Sequence, residues 1–108
     1  MPQDHCRGTR CRCPSAARHF TDREIDVLLL VAAGQPNRRI AQALGISTRT
    51  VDHHLRVMLG RAGAASRAEL IARSYAAGVL VSHAWPPAWS GAACVCVCRS
   101  GPGRARPR

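Results

Sequence analysis

The sequence predicts an all-α fold: four short helices in one small domain over residues 20–80, set between two tails. Three observations predict it. Apolar residues recur at helical spacing in four separate stretches. Thr21, Pro36, Ser47 and Ser66 open those stretches, and Gly34, Gly45 and Gly78 punctuate their ends. Residues 1–19 and 81–108 hold most of the Pro, all six Cys and little apolar periodicity, so both are expected to be disordered tails.

The first helix is expected to start at Thr21. With Glu24 three residues on, Thr21 forms a capping box, in which the hydroxyl serves the Glu24 N–H and the carboxylate reaches back. Phe20 precedes the cap and can pack on Ile25 as a hydrophobic staple. Ile25, Leu28, Leu29 and Ala32 then recur at helical spacing, and Gly34 ends the helix. Pro36 suits the first position of a second helix, where its missing N–H is no loss. Ile40, Ala41 and Leu44 make that helix's buried face, with Arg38 and Arg39 pointing elsewhere. Gly45 turns the chain, Ile46 anchors the turn, and Ser47 caps the third helix.

The third helix, about residues 47–62, has two chemically distinct stripes at about 100° per residue. Val51, Leu55, Met58 and Ala62 fall on one. Arg49, Asp52, His53, Arg56 and Gly60 fall on the other. Any surface helix has a polar stripe. This one is richer in chemistry, with two Arg, a His and an Asp that can reach base edges or phosphates. A short helix, a Gly-containing turn and such a second helix together form a helix-turn-helix pattern, in which the second helix enters the DNA major groove. A fourth helix, about 67–77, starts after Ser66, with Glu69 expected to complete another capping box. Leu70, Ile71, Ser74 and Ala77 give it a lightly apolar face before Gly78. A helix of about 12 residues is not stable alone in water, so it must pack on the first three or on a second subunit.

Charge agrees with a polyanion partner but adds little about the domain. The chain is +10 at pH 7 and every basic side chain is Arg. Residues 20–80 carry eight Arg against Asp22, Glu24, Asp26, Asp52 and Glu69, a balance of +3. The rest of the excess lies in the tails. A folded unit of roughly 60 residues buries only about 60% of its unfolded surface, so docking on DNA or on a second copy would help it. No signal peptide is evident, and no run reaches the ~18 apolar residues of a membrane span. The expectation is a cytoplasmic protein with no membrane partner.

The pattern Phe20-Thr21-x-Arg23-Glu24-x-x-Val27-Leu28, Ala32-x-Gly34-x-x-Asn37, Ile40-Ala41, Leu44-x-Ile46-Ser47, Thr50-Val51, His54, Met58, Arg61 and Arg67 resembles the LuxR-type helix-turn-helix domain. The resemblance covers about 60 residues. It implies the four-helix DNA-binding domain of a bacterial transcription regulator, whose partner is double-stranded DNA, with RNA polymerase a further candidate. It implies groove-reading positions at Asp52, His53 and Arg56, and places His54 and Arg61 near phosphates. Within this frame Arg56 and His53 are expected on bases, and Arg49 and Arg61 on phosphates; Thr50, Asn37 and Arg38 complete the expected DNA-binding set. A homodimer is expected through the fourth helix, by Leu70, Ile71, Ser74 and Ala77. Two departures matter. Asp52 stands where the family usually carries Lys, and its carboxylate repels phosphate but can accept from cytosine N4. Ala62 and Ala64 replace larger aliphatic residues, each worth about 2–5 kcal/mol if nothing collapses into the gap.

Other readings are weaker. Cys6, Cys11 and Cys13 with His5, and Cys94, Cys96 and Cys98, invite a metal-thiolate or redox-sensing protein. They lack the C-x₂-C pair typical of structural zinc sites, C-x-C brackets are a weak signal, and disulfides do not suit a reducing cytoplasm, so no metal or cofactor is expected. Trp85 and Trp89, flanking Pro86-Pro87, can fold back on the bundle or meet a partner. The segment 99–108, with four Arg, can add non-specific phosphate attraction. An enzyme is not expected: no nucleophile motif, phosphate loop or carboxylate pair is visible. Nineteen leading residues cannot form a receiver or ligand-binding module, so the chain reads as a stand-alone effector or a fragment of a longer regulator.

Overall fold

The computed structural model describes residues 19–95, which form α1 (Asp22–Ala32), α2 (Asn37–Leu44), α3 (Thr48–Ala62) and α4 (Arg67–Ala76). No strand occurs among the described residues, only two isolated antiparallel bridges. α3 is the central element and packs on the other three helices.

Local chemistry sets each helix start. Thr21 Oγ1 accepts from the Glu24 N–H at 3.1 Å, and Glu24 Oε1 accepts from the Thr21 N–H at 2.9 Å, so the expected capping box is formed. Phe20 and Ile25 are both buried in the core, as the staple requires. Ser47 Oγ accepts from the Thr50 N–H at 3.0 Å and starts α3. Pro36 lies one position earlier than expected. It is the N-cap of α2, extended at φ −75° and ψ 160°, and its carbonyl accepts the first helical bond from Ile40. At α4 the box is altered. Ser66 Oγ accepts from the Glu69 N–H, but Glu69 Oε1 takes the N–H of Ala65 at 2.8 Å rather than that of Ser66. The Ser66 backbone at φ −151°, against −80° at Thr21, turns its own N–H away from the carboxylate.

All four helices end alike. In each, two N–H groups beyond the last turn bond back to its carbonyls, as Gly34 to Val31 and Gln35 to Leu30 do after α1. The geometry is tightest in meaning at Gly45, whose φ of 68° lets α3 leave α2 at the helix-turn-helix corner. Ile46 is then half-buried against the core rather than fully enclosed.

The core joins Val27, Leu28 and Val31 of α1, Ile40 and Ala41 of α2, Val51, Leu55, Met58 and Ala62 of α3, and Leu70 of α4. Ala62 is buried in that core and Ala64 packs half-buried against it. The expected tail from residue 81 requires correction over residues 81–95. That segment is folded onto the domain: the Val81 N–H bonds to the Ala88 carbonyl, the Ser90 N–H to the Val79 carbonyl, and Leu80 bridges Trp89. It then returns to the start of α1, where His19 bridges Cys94 and the Phe20 N–H bonds to the Ala93 carbonyl at 2.9 Å. Val79, Leu80, Cys94 and Val95 are buried there, which supplies the apolar reason for the wrap. The expected tails at 1–18 and 96–108 lie outside the described residues.

Candidate nucleic-acid interface

The helical repeat of α3 sends Val51, Leu55, Met58 and Ala62 into the core, and so leaves Arg49, Asp52, His53, Arg56 and Gly60 exposed on the opposite side. Arg49, Thr50, His53 and Arg56 line one shallow depression on that side. Among the described residues Arg49 has no carboxylate partner, whereas Arg56 Nη1 lies 4.0 Å from Asp52 Oδ2 one turn earlier. His53 and His54 adjoin with ring centroids 6.2 Å apart, His54 being half-buried at the border of the stripe. Thr50 is also half-buried, and its hydroxyl is in hydrogen-bond contact with Ser47 Oγ at 3.0 Å, which ties it to the N-cap.

The remaining expected contacts divide. Arg38 is exposed on α2. Asn37 meets α4: its Oδ1 accepts from Arg67 Nη1 at 2.9 Å, which links the starts of the two helices. Arg61 is not part of the open stripe. It lies about 120° round α3 from Arg49, and its Nη2 is 3.4 Å from Glu24 Oε2. Its Nη1 donates to the His19 carbonyl at 2.7 Å. The Glu24 side chain is only 5% exposed and that of Arg61 25%. The phosphate role expected of Arg61 therefore meets a different geometry: a buried carboxylate has drawn the guanidinium inward. Sequence reading missed Glu24 as its partner, although an acid at the third position of α1 and a base at the end of α3 were both visible.

The residues expected at a dimer face lie mostly inside the protomer. Leu70 and Ser74 are fully buried and Ala77 nearly so, all within their own protomer; Ile71 is half-buried against the same core. Ser74 Oγ satisfies itself on the Leu70 carbonyl at 2.8 Å. What α4 exposes instead is Ala68, Ala72, Tyr75 and Ala76, which share one side. Of the cysteines only Cys94 is described, and it is buried. His5, Cys6, Cys11, Cys13, Cys96 and Cys98 lie outside the described residues. Trp85 is 75% exposed, while Trp89 donates its indole N–H to the Ala92 carbonyl at 2.8 Å. No described helix is long and apolar enough to cross a membrane.

An open cationic side on a helix held from behind by a packed bundle can enter a groove and meet acceptors there. The same helical domain is shared with known proteins. The chain is 43% identical over 61 residues to the transcriptional activator protein ExaE of Pseudomonas putida, covering 56% of this chain and 28% of that protein. It is 42% identical over 60 residues to the transcriptional regulatory protein DesR of Bacillus subtilis, covering 56% and 30%. It thus spans less than a third of the length of these relatives. A solved structure of the Vibrio cholerae VqmA dimer without its target DNA, a LuxR-type receptor, superposes with a TM-score of 0.54 at 32% identity, covering 63% of this chain and 32% of that one. The family of bacterial regulatory proteins named for luxR matches residues 18–74, just over half of the sequence, and the chain belongs to that family.

Proposed function

We propose that the chain binds double-stranded DNA with sequence preference and regulates transcription, with α3 in the major groove. One observation carries the reading: the arginine-and-histidine side of α3 stands open while its aliphatic side is locked into the core. Family membership supports it. Arg56 and His53 face bases, Arg49 and Arg38 face phosphates, and Thr50 and His54 lie at the margin of the contact. Asn37 and Arg61 act behind the interface, Asn37 by joining α2 to α4 and Arg61 by holding the end of α3 to α1. The chain works as a homodimer, through the exposed side of α4 with Ala68, Ala72, Tyr75 and Ala76.

Selection of sites from random duplex DNA by the full chain, followed by binding at several salt concentrations, tests the reading. A selected motif is expected, with log K falling as log salt rises by about 0.9 per phosphate neutralised. Arg49→Ala should flatten that slope by about one phosphate's worth, and Arg56→Ala should relax preference at one position. Binding that shows no motif and ignores salt refutes the proposal.

A further inference from the structure

We propose that Asp52 and Arg56 form a base-selecting pair, Asp52 requiring a cytosine within about two base steps of a guanine read by Arg56. This rests on the DNA-binding reading above and adds to it which bases the helix demands. Asp52 is the single acid on the open side of α3, with Arg49 one turn before and Arg56 one turn after it. Its carboxylate lies 4.0 Å from the Arg56 guanidinium, and the two side chains are 60% and 65% exposed. At that distance and exposure the contact steers the two groups without holding either from another partner. Residues four apart on a helix are about 6 Å apart along its axis, close to two base steps of ~3.4 Å.

The chemistry then narrows the choice. A carboxylate in the major groove is repelled by phosphates and by every acceptor edge. Guanine shows N7 and O6 and thymine shows O4, all acceptors. Adenine offers an N6 donor, but its N7 acceptor sits beside it. Cytosine offers N4–H with no neighbouring acceptor on its own ring edge, so it alone suits Asp52 without penalty. Arg56 donates to guanine O6 and N7. The negative charge also weakens binding to DNA at large, so Asp52 trades affinity for discrimination.

The test is site selection and single-base substitution in the selected site, with the full wild-type chain and with Asp52→Asn. Asp52 is exposed, so the variant keeps the core intact. Wild type should reject replacement of one cytosine by at least about fivefold. Asp52→Asn should lose most of that discrimination, bind non-specific DNA more tightly, and keep its guanine preference. If wild type selects a motif and Asp52→Asn reproduces the same base profile at every position, the pair is refuted while the DNA-binding reading stands. If wild type binds no DNA at all, both are refuted.

Discussion

Among single side chains, Glu24 bears on the most structure. One carboxylate oxygen caps α1 through the Thr21 N–H, and the other pairs with Arg61 at the far end of α3. The same Arg61 bonds to the His19 carbonyl, and His19 bridges Cys94. A side chain this enclosed leaves water only because its partners replace it. Glu24→Gln keeps an oxygen for the Thr21 N–H but removes the charge facing Arg61. It should destabilise the fold by on the order of 3 kcal/mol, read as a lower urea midpoint at unchanged slope. Arg61→Ala should lower stability too, yet leave the salt slope of DNA binding unchanged, because its guanidinium is occupied inside the protein. A slope flattened by about one unit would instead return Arg61 to the phosphates. The resemblance alone pointed to phosphate contact. Its angular position, on the flank of α3 rather than in line with Arg49 and Arg56, was the signal in the sequence that separated it from them.

At the scale of elements, helix ends were legible because caps are local. Thr21, Ser47 and Ser66 each sit three residues before the N–H they serve, and Gly45 follows the last turn of α2. Gly45 has open space where a Cβ would stand, so Gly45→Ala should be opposed by backbone conformation alone, at about 1–2 kcal/mol. Thermal denaturation reads that loss, and a neutral result would show that the turn relaxes. The variation at α4 was not legible, since it depends on the backbone angle of Ser66 rather than on residue spacing. It has a pH consequence. The Ala65 N–H, with Arg73 beside it, holds the Glu69 carboxyl below its ordinary range. A depressed acid stabilises the fold fully above its unfolded pKa. That contribution fades as pH falls through the lowered folded pKa. Glu69→Gln should therefore lose stability near neutral pH and converge on wild type at acid pH, as urea midpoints across that range would show. The buried faces of α4 were legible as apolar spacing, but periodicity does not say whether the cover is a partner or the same chain. Here Leu70, Ser74 and Ala77 found it within the protomer.

The whole molecule is larger than the helical pattern implies. Residues 81–95 have no period and carry Pro, Gly and Trp, so local reading gives them no structure. Their order comes from contacts far along the chain, with Cys94 pairing at His19 and Ala93 bonding to Phe20. Such pairing leaves no spacing signature. The segment lies beyond the family match, which ends at residue 74. It nonetheless covers the side of the bundle where α1 begins, and Cys94 and Val95 join Val79 and Leu80 among the buried residues. Four helices with a small, buried Ala62 closing α3 make a thin core, and burying one Val alone is worth about 1.5–3 kcal/mol. Two truncations separate this wrap from an inert tail. Ending the chain after Leu80 should lower stability by about 2 kcal/mol or more, a fall in Tm of roughly 8–16 °C for a domain this size. Ending it after Val95 keeps every described contact of the segment and is the reference for that loss. Equal melting of both truncated chains and the full chain would show that the helices stand without the wrap. If only the shorter one loosens, the working domain runs to residue 95, and Arg61 reaches its place through a residue that the C-terminal segment holds.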